Sequence, residues 1–283
     1  MEPLLLDLAL ARRIELAEAQ AAASAAEVMM RLKPEMAPAV ERIAGGLAVF
    51  CGANSPVTQA VGLGLDGPVS DEECERLEEF YRSRNEPVRV ETCPLADMRL
   101  FEHFGVHGYR ATEFTNVLAR RVTKTPEFAA RARDVSVERL DEKHLEGWNL
   151  TVAQGFAEHL PVTQEILDIM KMFALAPGNE CYLARVDGKV AGGATLALRD
   201  GIAGLFGASA LPAYRNRGVQ AALLRARLER ATEAGCELAA CLARPGSTSQ
   251  RNIVRHGFQV LYTRVKFERD LTAATGKQPT AKS

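Results

Sequence analysis

Arg215, Asn216, Arg217 and Gly218 follow one another between two apolar stretches, an order of residue types suited to holding a phosphate. Guanidinium groups make charge-assisted hydrogen bonds to phosphate oxygens. A glycine lets backbone approach a ligand closely. Both matter most at the start of a helix, where the first amides have no intrahelical partner and carry the positive end of the macrodipole. The flanking sequence supplies such a helix: from Val219 the apolar residues Ala222, Leu223, Ala226 and Leu228 recur near helical spacing. Before the turn, the small apolar run Leu205 to Leu211 reads as a strand that Pro212 stops.

The elements that position this turn can be read outward from it. Downstream, Glu237 to Leu242 reads as a strand and Ser247 to His256 as a short helix; Gly257-Phe258 stops that helix before a final strand through Phe267. Upstream, Val135 to Glu138 reads as a strand, and Asp141 to Trp148 and Gln164 to Phe173 as helices. The strands Cys181 to Val186 and Lys189 to Leu198 flank Asp187-Gly188, a strong hairpin signal.

The stretch Pro212 to Ala221 resembles the acyl-CoA pyrophosphate loop of the GNAT superfamily of acyl-CoA-dependent N-acyltransferases, whose pattern is Gln/Arg-x-x-Gly-x-Gly/Ala. Arg215 and Gly218 match its first two fixed positions, and Gln220 departs from the third, with Ala221 and Ala222 beside it. The resemblance covers residues 134–270 and extends to the order of strands and helices. It implies an α/β (α+β) fold, a mixed and mostly antiparallel sheet flanked by helices, splayed where the strand ending at Ala210 meets the strand ending near Ala243. The pantetheine arm of acetyl-CoA would enter that gap along Ala208, Ser209 and Ala210, with the amide of Ala210 or Leu211 at the thioester carbonyl. Arg215, Asn216, Arg217, Gly218, Val219, Gln220 and Ala221 would hold the pyrophosphate.

The activity implied is transfer of an acetyl group from acetyl-CoA to a primary amine by direct attack, with no covalent enzyme intermediate and no metal. An alternative from another class is an acyl-CoA-binding sensor without catalysis. Transfer needs an uncharged amine, a stabilised oxyanion and a proton for the leaving thiolate. In the superfamily a Tyr four residues before the helix-ending Gly often gives that proton, and this chain has Ile253 there. Ser249 and Asn252, on the same helix, are the catalytic candidates beside the thiol. Glu158, His159, Glu165 and Glu180 are titratable residues near the expected acceptor cleft, and no spacing singles one out as the base. His256 reads as a helix C-terminal cation and Trp148 as core or interface. Arg225, Arg227, Glu229 and Arg230 read as a solvated helix face, with Arg227 and Arg230 as secondary candidates for the CoA 3′-phosphate.

An internal repeat organises the rest. A shift of 149 positions carries His107-Gly108-Tyr109 onto His256-Gly257-Phe258 and Arg120 onto Arg269. The same shift lays a helix at Ser70 to Ser83 over the helix that follows the basic turn, the strand Val88 to Thr92 over Glu237 to Cys241, and Met98 to Val106 over the last helix. The chain therefore reads as two GNAT-like lobes: a degenerate one over 1–128, an acyltransferase domain over 129–271, and a disordered tail over 272–283. The Ala-rich stretch Leu8 to Leu32 reads as helices opening the first lobe. Where the second lobe has its basic turn, the first has Asp66-Gly67-Pro68-Val69-Ser70-Asp71-Glu72-Glu73. Ser70 is a good N-cap and three acids already answer the helix dipole, so only the second lobe is expected to bind CoA.

The composition fits this picture. At 283 residues with 47% hydrophobic residues and a formal net charge of -1, the chain suits two modest domains. Near neutrality argues against a dedicated nucleic-acid or membrane-surface partner. No apolar run approaches a membrane span and no basic leader precedes the first apolar residues, so a cytoplasmic location is expected. The six cysteines show no metal-ligand spacing and read as buried thiols. The acceptor amine, and the choice between monomer and homodimer, stay open at this point.

Overall fold

The computed structural model describes residues 3–123, 134–157 and 161–271. The expected lobe boundary between 128 and 129, Glu158, His159 and the 272–283 tail lie outside the described residues. The first lobe opens on one long helix, α1 (Leu8–Leu32), whose N-cap Asp7 accepts the Leu10 amide. Its buried alanines, among them Ala11, Ala19, Ala25 and Ala26, let the helix lie close on the sheet. Strands β1 (Ala39–Ile43) and β2 (Gly46–Phe50) form a hairpin, and Ala44 and Gly45 both take positive φ at its turn, matching the strand twist. Then come β3 (Gln59–Val61), α2 (Asp71–Arg82), β4 (Val88–Thr92), α3 (Met98–Val106) and β5 (Arg110–Arg121).

The second lobe contains β6 (Val135–Arg139), α4 (Leu145–Ala157), α5 (Gln164–Leu175), β7 (Asn179–Val186), β8 (Lys189–Arg199), β9 (Ile202–Ala210), α6 (Val219–Glu233), β10 (Leu238–Ala243), α7 (Thr248–Val254) and β11 (Gln259–Arg269). Asp187 and Gly188 turn the β7–β8 hairpin with positive φ at both positions. The helix read from Asp141 starts later, because Glu142–His144 forms a 3-10 turn ahead of α4.

The 149-residue shift is visible in three dimensions: it carries α2 into α6, β4 over β10, α3 over α7 and β5 over β11. The two lobes do not close separate sheets. They share one 11-stranded sheet in the order β1-β2-β3-β4-β11-β5-β10-β9-β8-β7-β6. At its centre the last strand of each repeat pairs with the other repeat: β5 runs antiparallel to β10 from Leu238↔Arg121 to Ala243↔Asn116, and β11 antiparallel to β4 from Val265↔Thr92 to Arg269↔Val88. Strands β5 and β11 then pair with each other.

A buried ion network ties α1 to this centre. The Arg264 guanidinium of β11, fully buried, donates to Glu15 Oε1 (2.8 Å) and to both carboxylate oxygens of Glu18 (2.7 and 2.6 Å), while the Tyr262 hydroxyl donates to Glu15 (2.7 Å). Burial works against the arginine's charge, but attraction to Glu15 and Glu18 outweighs it and raises the Arg264 pKa. All six cysteines are free and buried. Among the described residues no helix is long and apolar enough to cross a membrane.

Candidate functional site

Strands β9 and β10 pair in parallel only from Leu238↔Ile202 to Cys241↔Leu205. Beyond Leu205, β9 keeps β8 as a neighbour through Gly192↔Ala210 but has no partner on the β10 side, so the sheet opens there as a wedge. A bulge sharpens the opening: the β8–β9 register slips between Gly193 and Thr195, and Gly207 takes φ +60°, in the left-handed region that disfavours a side chain. Ala208, Ser209 and Ala210 line the open edge of β9.

Two packing details fix that edge. The Ser209 hydroxyl donates to the Val152 carbonyl of α4 (3.0 Å). Gly155 permits the approach of α4, because a Cβ there would lie 2.4 Å from Ser209 Oγ. The Leu211 amide donates to Ala191 O (2.9 Å), so it is engaged within the protein.

Arg227 holds the bulge from below. Although it falls in a charged run, its side chain is buried, donating through Nη1 to Thr195 O (3.0 Å) and Phe206 O (3.4 Å) and through Nε to Leu223 O (3.1 Å). The solvated-face reading is therefore corrected at this residue: Arg227 braces β8 and β9 where their register slips. Burial lowers its pKa to about 10. Arg230 meets Glu180 (3.0 and 3.2 Å), which also accepts from Arg139 (3.3 Å) and the Tyr182 hydroxyl (2.8 Å).

The turn Arg215 to Gly218 is exposed at the mouth of the wedge. Asn216 (φ 62°) and Gly218 (φ 80°) are both left-handed, and Gly218 is the N-cap of α6 without a side chain to cap it. No acidic residue stands in the first turn of α6. Arg215 reaches the Gly155 carbonyl on α4 (3.3 Å). Arg217 bonds Asp134 (2.6 Å) at the start of β6 and Asp187 (3.0 Å) in the β7–β8 turn, so its charge braces the loop against the sheet. The hydrogen bonds to Asp187 and Asp134 raise its pKa.

Of the catalytic candidates, Ser249 is exposed and Asn252 half-buried on α7, and neither side chain bonds another described residue. The Asn252 carbonyl pairs with His256 Nδ1 (2.7 Å). Ile253 packs against the second lobe's core, leaving no phenol at that position. Glu165 is exposed at the start of α5, where the Thr163 hydroxyl holds its carboxyl below the usual range. Cys241 lies on β10 at the wedge, but burial pushes its thiol up to about 12, which denies it a nucleophile's role near neutral pH. Among the described residues no group of three His, Cys, Asp or Glu side chains is placed to hold a metal ion.

Residues 143–258 match the model of the Acetyltransferase (GNAT) family. No curated protein matches the sequence. Among solved structures the fold is similar to a GCN5-related N-acetyltransferase from Kribbella flavida, 17% identical over 91% of this chain and 95% of that one, with a TM-score of 0.63. It is also similar to a tandem GNAT protein from the clavulanic acid biosynthesis pathway, 16% identical over 82% of this chain and 83% of that one, with a TM-score of 0.58. At these identities the two structures speak to the fold, and the match to the Acetyltransferase (GNAT) family lies over residues 143–258, the part of the chain that carries the wedge and the uncapped helix.

Proposed function

We propose that the chain transfers an acetyl group from acetyl-CoA to a primary amine, using the lobe at 129–271, with the lobe at 1–128 as a degenerate partner that binds no CoA. The observation that carries this reading is the uncapped, acid-free mouth of α6 set directly below the open edge of β9. Amides at that helix end suit a pyrophosphate, and Gly218 keeps the approach clear. The backbone from Ala208 to Ala210, unpaired on its β10 side, suits an extended arm bonding as an added strand. Arg215, Asn216, Val219, Gln220 and Ala221 complete the cradle, while Arg217 shapes it through Asp134 and Asp187.

In the reaction the neutral amine nitrogen attacks the thioester carbonyl and forms the C–N bond. The C–S bond breaks, the sulfur leaves with its electron pair, and the proton lost by nitrogen ends on the thiol. The Ala210 amide is the proposed donor to the developing oxyanion. Ser249 and Asn252 are the polar side chains proposed near the thiol.

Ile253 favours a second reading, an acyl-CoA sensor without turnover, since an aliphatic residue stands where a proton donor is common in the superfamily. Calorimetric titration with acetyl-CoA, run beside Gly218→Glu, tests the binding site; thiol release on adding amines separates the two readings. One site per chain, lost in Gly218→Glu, together with amine-dependent thiol release, upholds the transferase. Binding without thiol release for any amine favours the sensor, and no binding removes both.

A further inference from the structure

We infer that the cavity at the seam of the two lobes is the acceptor pocket, and that it takes a substrate bearing both an amine and an acidic group, as a free amino acid does. The inference rests on the acyl-transfer reading above and adds to it the place and chemistry of the acceptor.

The exchanged strands create this cavity. Strand β10 ends at Ala243, opposite Asn116 of β5. Arg244 and Pro245 then leave the sheet, while β5 continues on the other side through Phe114, Glu113 and Thr112. Arg89 of β4 and Lys266 and Glu268 of β11 close the far wall, around a volume of about 780 Å³. That suits a small molecule. Both lobes contribute, so neither repeat alone would form it.

Its position relative to the wedge follows from the strand order. The wedge lies on the β9 edge of β10 and the cavity on the β5 edge, both at the C-terminal end of β10. At its Arg244 rim the cavity lies one strand, about 5 Å, from the wedge, while its Arg89 wall on β4 stands three strands beyond β10. An acceptor anchored at that rim by its acidic group can therefore extend its amine to a thioester held in the wedge with a short chain.

The charges select the ligand. Lys266 is paired with Glu91 (3.0 Å) and Glu113 (2.9 Å), and Arg89 with Glu268 (3.3 Å) and Glu86 (3.4 Å). Arg244 is exposed at the rim and has no side-chain partner among the described residues. An acidic group on the acceptor gives it one. Phe114, 55% exposed, offers an apolar wall to the ligand's carbon chain.

The test measures thiol release from acetyl-CoA with pairs of amines that differ only in the carboxylate: L-lysine with cadaverine, L-ornithine with putrescine, and L-phenylalanine with phenethylamine. The carboxylate-bearing member of at least one pair should be preferred by about 30-fold in kcat/KM, and Arg244→Ala should bring that ratio near one. Arg244→Lys should retain part of the preference, and calorimetry should find acetyl-CoA affinity unchanged in Arg244→Ala. Equal use of both members of every pair overturns the inference. So does weakened acetyl-CoA binding in Arg244→Ala, which would assign Arg244 to the cosubstrate. If no amine releases thiol, the acyl-transfer reading fails by itself, and saturation-transfer NMR of L-lysine and L-phenylalanine still tests the pocket. A signal lost in Arg244→Ala upholds it, and no signal from the unmodified protein overturns it.

Discussion

The mouths of α2 and α6 occupy equivalent places in the repeat and are finished in opposite ways. At α2 the Ser70 hydroxyl accepts the Glu73 amide (3.2 Å) and the Glu73 carboxylate accepts the Ser70 amide (3.0 Å), a complete capping box. Glu73 also accepts the Ala44 amide (3.1 Å), and Asp71 and Glu72 add negative charge to the same turn. At α6 a glycine replaces the serine, the first turn has no acid, and two arginines stand before it. The first helix end satisfies its own donors, whereas the second leaves its first amides without a side-chain cap. One fold can therefore carry an open end and a self-closed end, and the difference resides in a few residues around each N-cap.

The largest effect is expected from making the open mouth resemble the closed one. Gly218→Glu puts a carboxylate and a left-handed strain at the N-cap of α6, and acetyl-CoA binding should fall by at least about 100-fold by calorimetry while far-ultraviolet circular dichroism stays unchanged. Next comes the support beneath the open site. Arg227→Met strips the donors from Thr195 O and Phe206 O and should cost about 2 kcal/mol in urea unfolding, with weaker acetyl-CoA binding as the bulge relaxes. An unchanged midpoint and affinity would show that the bulge holds without it.

At the closed mouth, Ser70→Ala should cost about 1 kcal/mol in the same unfolding assay and leave acetyl-CoA affinity alone. Glu78 of α2 gives this half its own pH dependence. Burial alone would raise its pKa, but the His103 hydrogen bond and the Arg269 guanidinium outweigh it and hold the carboxyl below the ordinary 4.5. As pH falls, the unfolded chain takes up this proton first, so the stabilisation is complete above about pH 4.5 and is lost as pH drops through the folded value. Urea unfolding between pH 6 and pH 3 should show that slope, and Glu78→Gln should flatten it. The smallest effect is Asp71→Ala, expected to leave acetyl-CoA affinity unchanged; a loss comparable to that of Gly218→Glu would erase the distinction between the two mouths.

Much of this was legible because local rules suffice where local interactions decide. Asp187-Gly188 fixed a hairpin through the positive φ both positions require, and Ser70 announced a cap. The 149-residue shift located α2, β4 and α3 through helices and strands already read in the second lobe. The exchange of β5 and β11 was not legible, since the last strand of either half can satisfy the same ladder and the choice rests on contacts such as Arg264 to Glu15, 249 residues apart. Arg227 was misread, yet a signal existed. It stands four residues after Leu223 and just before Leu228, on the stripe that packs against the sheet. The seam cavity was beyond reach, because its walls come from strands that only the exchange brings together.

The exchange also sets the order in which the molecule can be finished during synthesis. Strand β4 belongs to the half made first, but its neighbour β11 is among the last residues described, and the Arg89–Glu268 pair between them spans 179 residues. At ordinary translation rates that interval lasts roughly 10–35 s. For that time one edge of β4 stands open, with the pairing and aggregation hazards of any exposed sheet edge. The amino-terminal half therefore begins first and is completed only when the carboxyl-terminal half emerges, which makes the ribosome, rather than either lobe, the timekeeper of this fold.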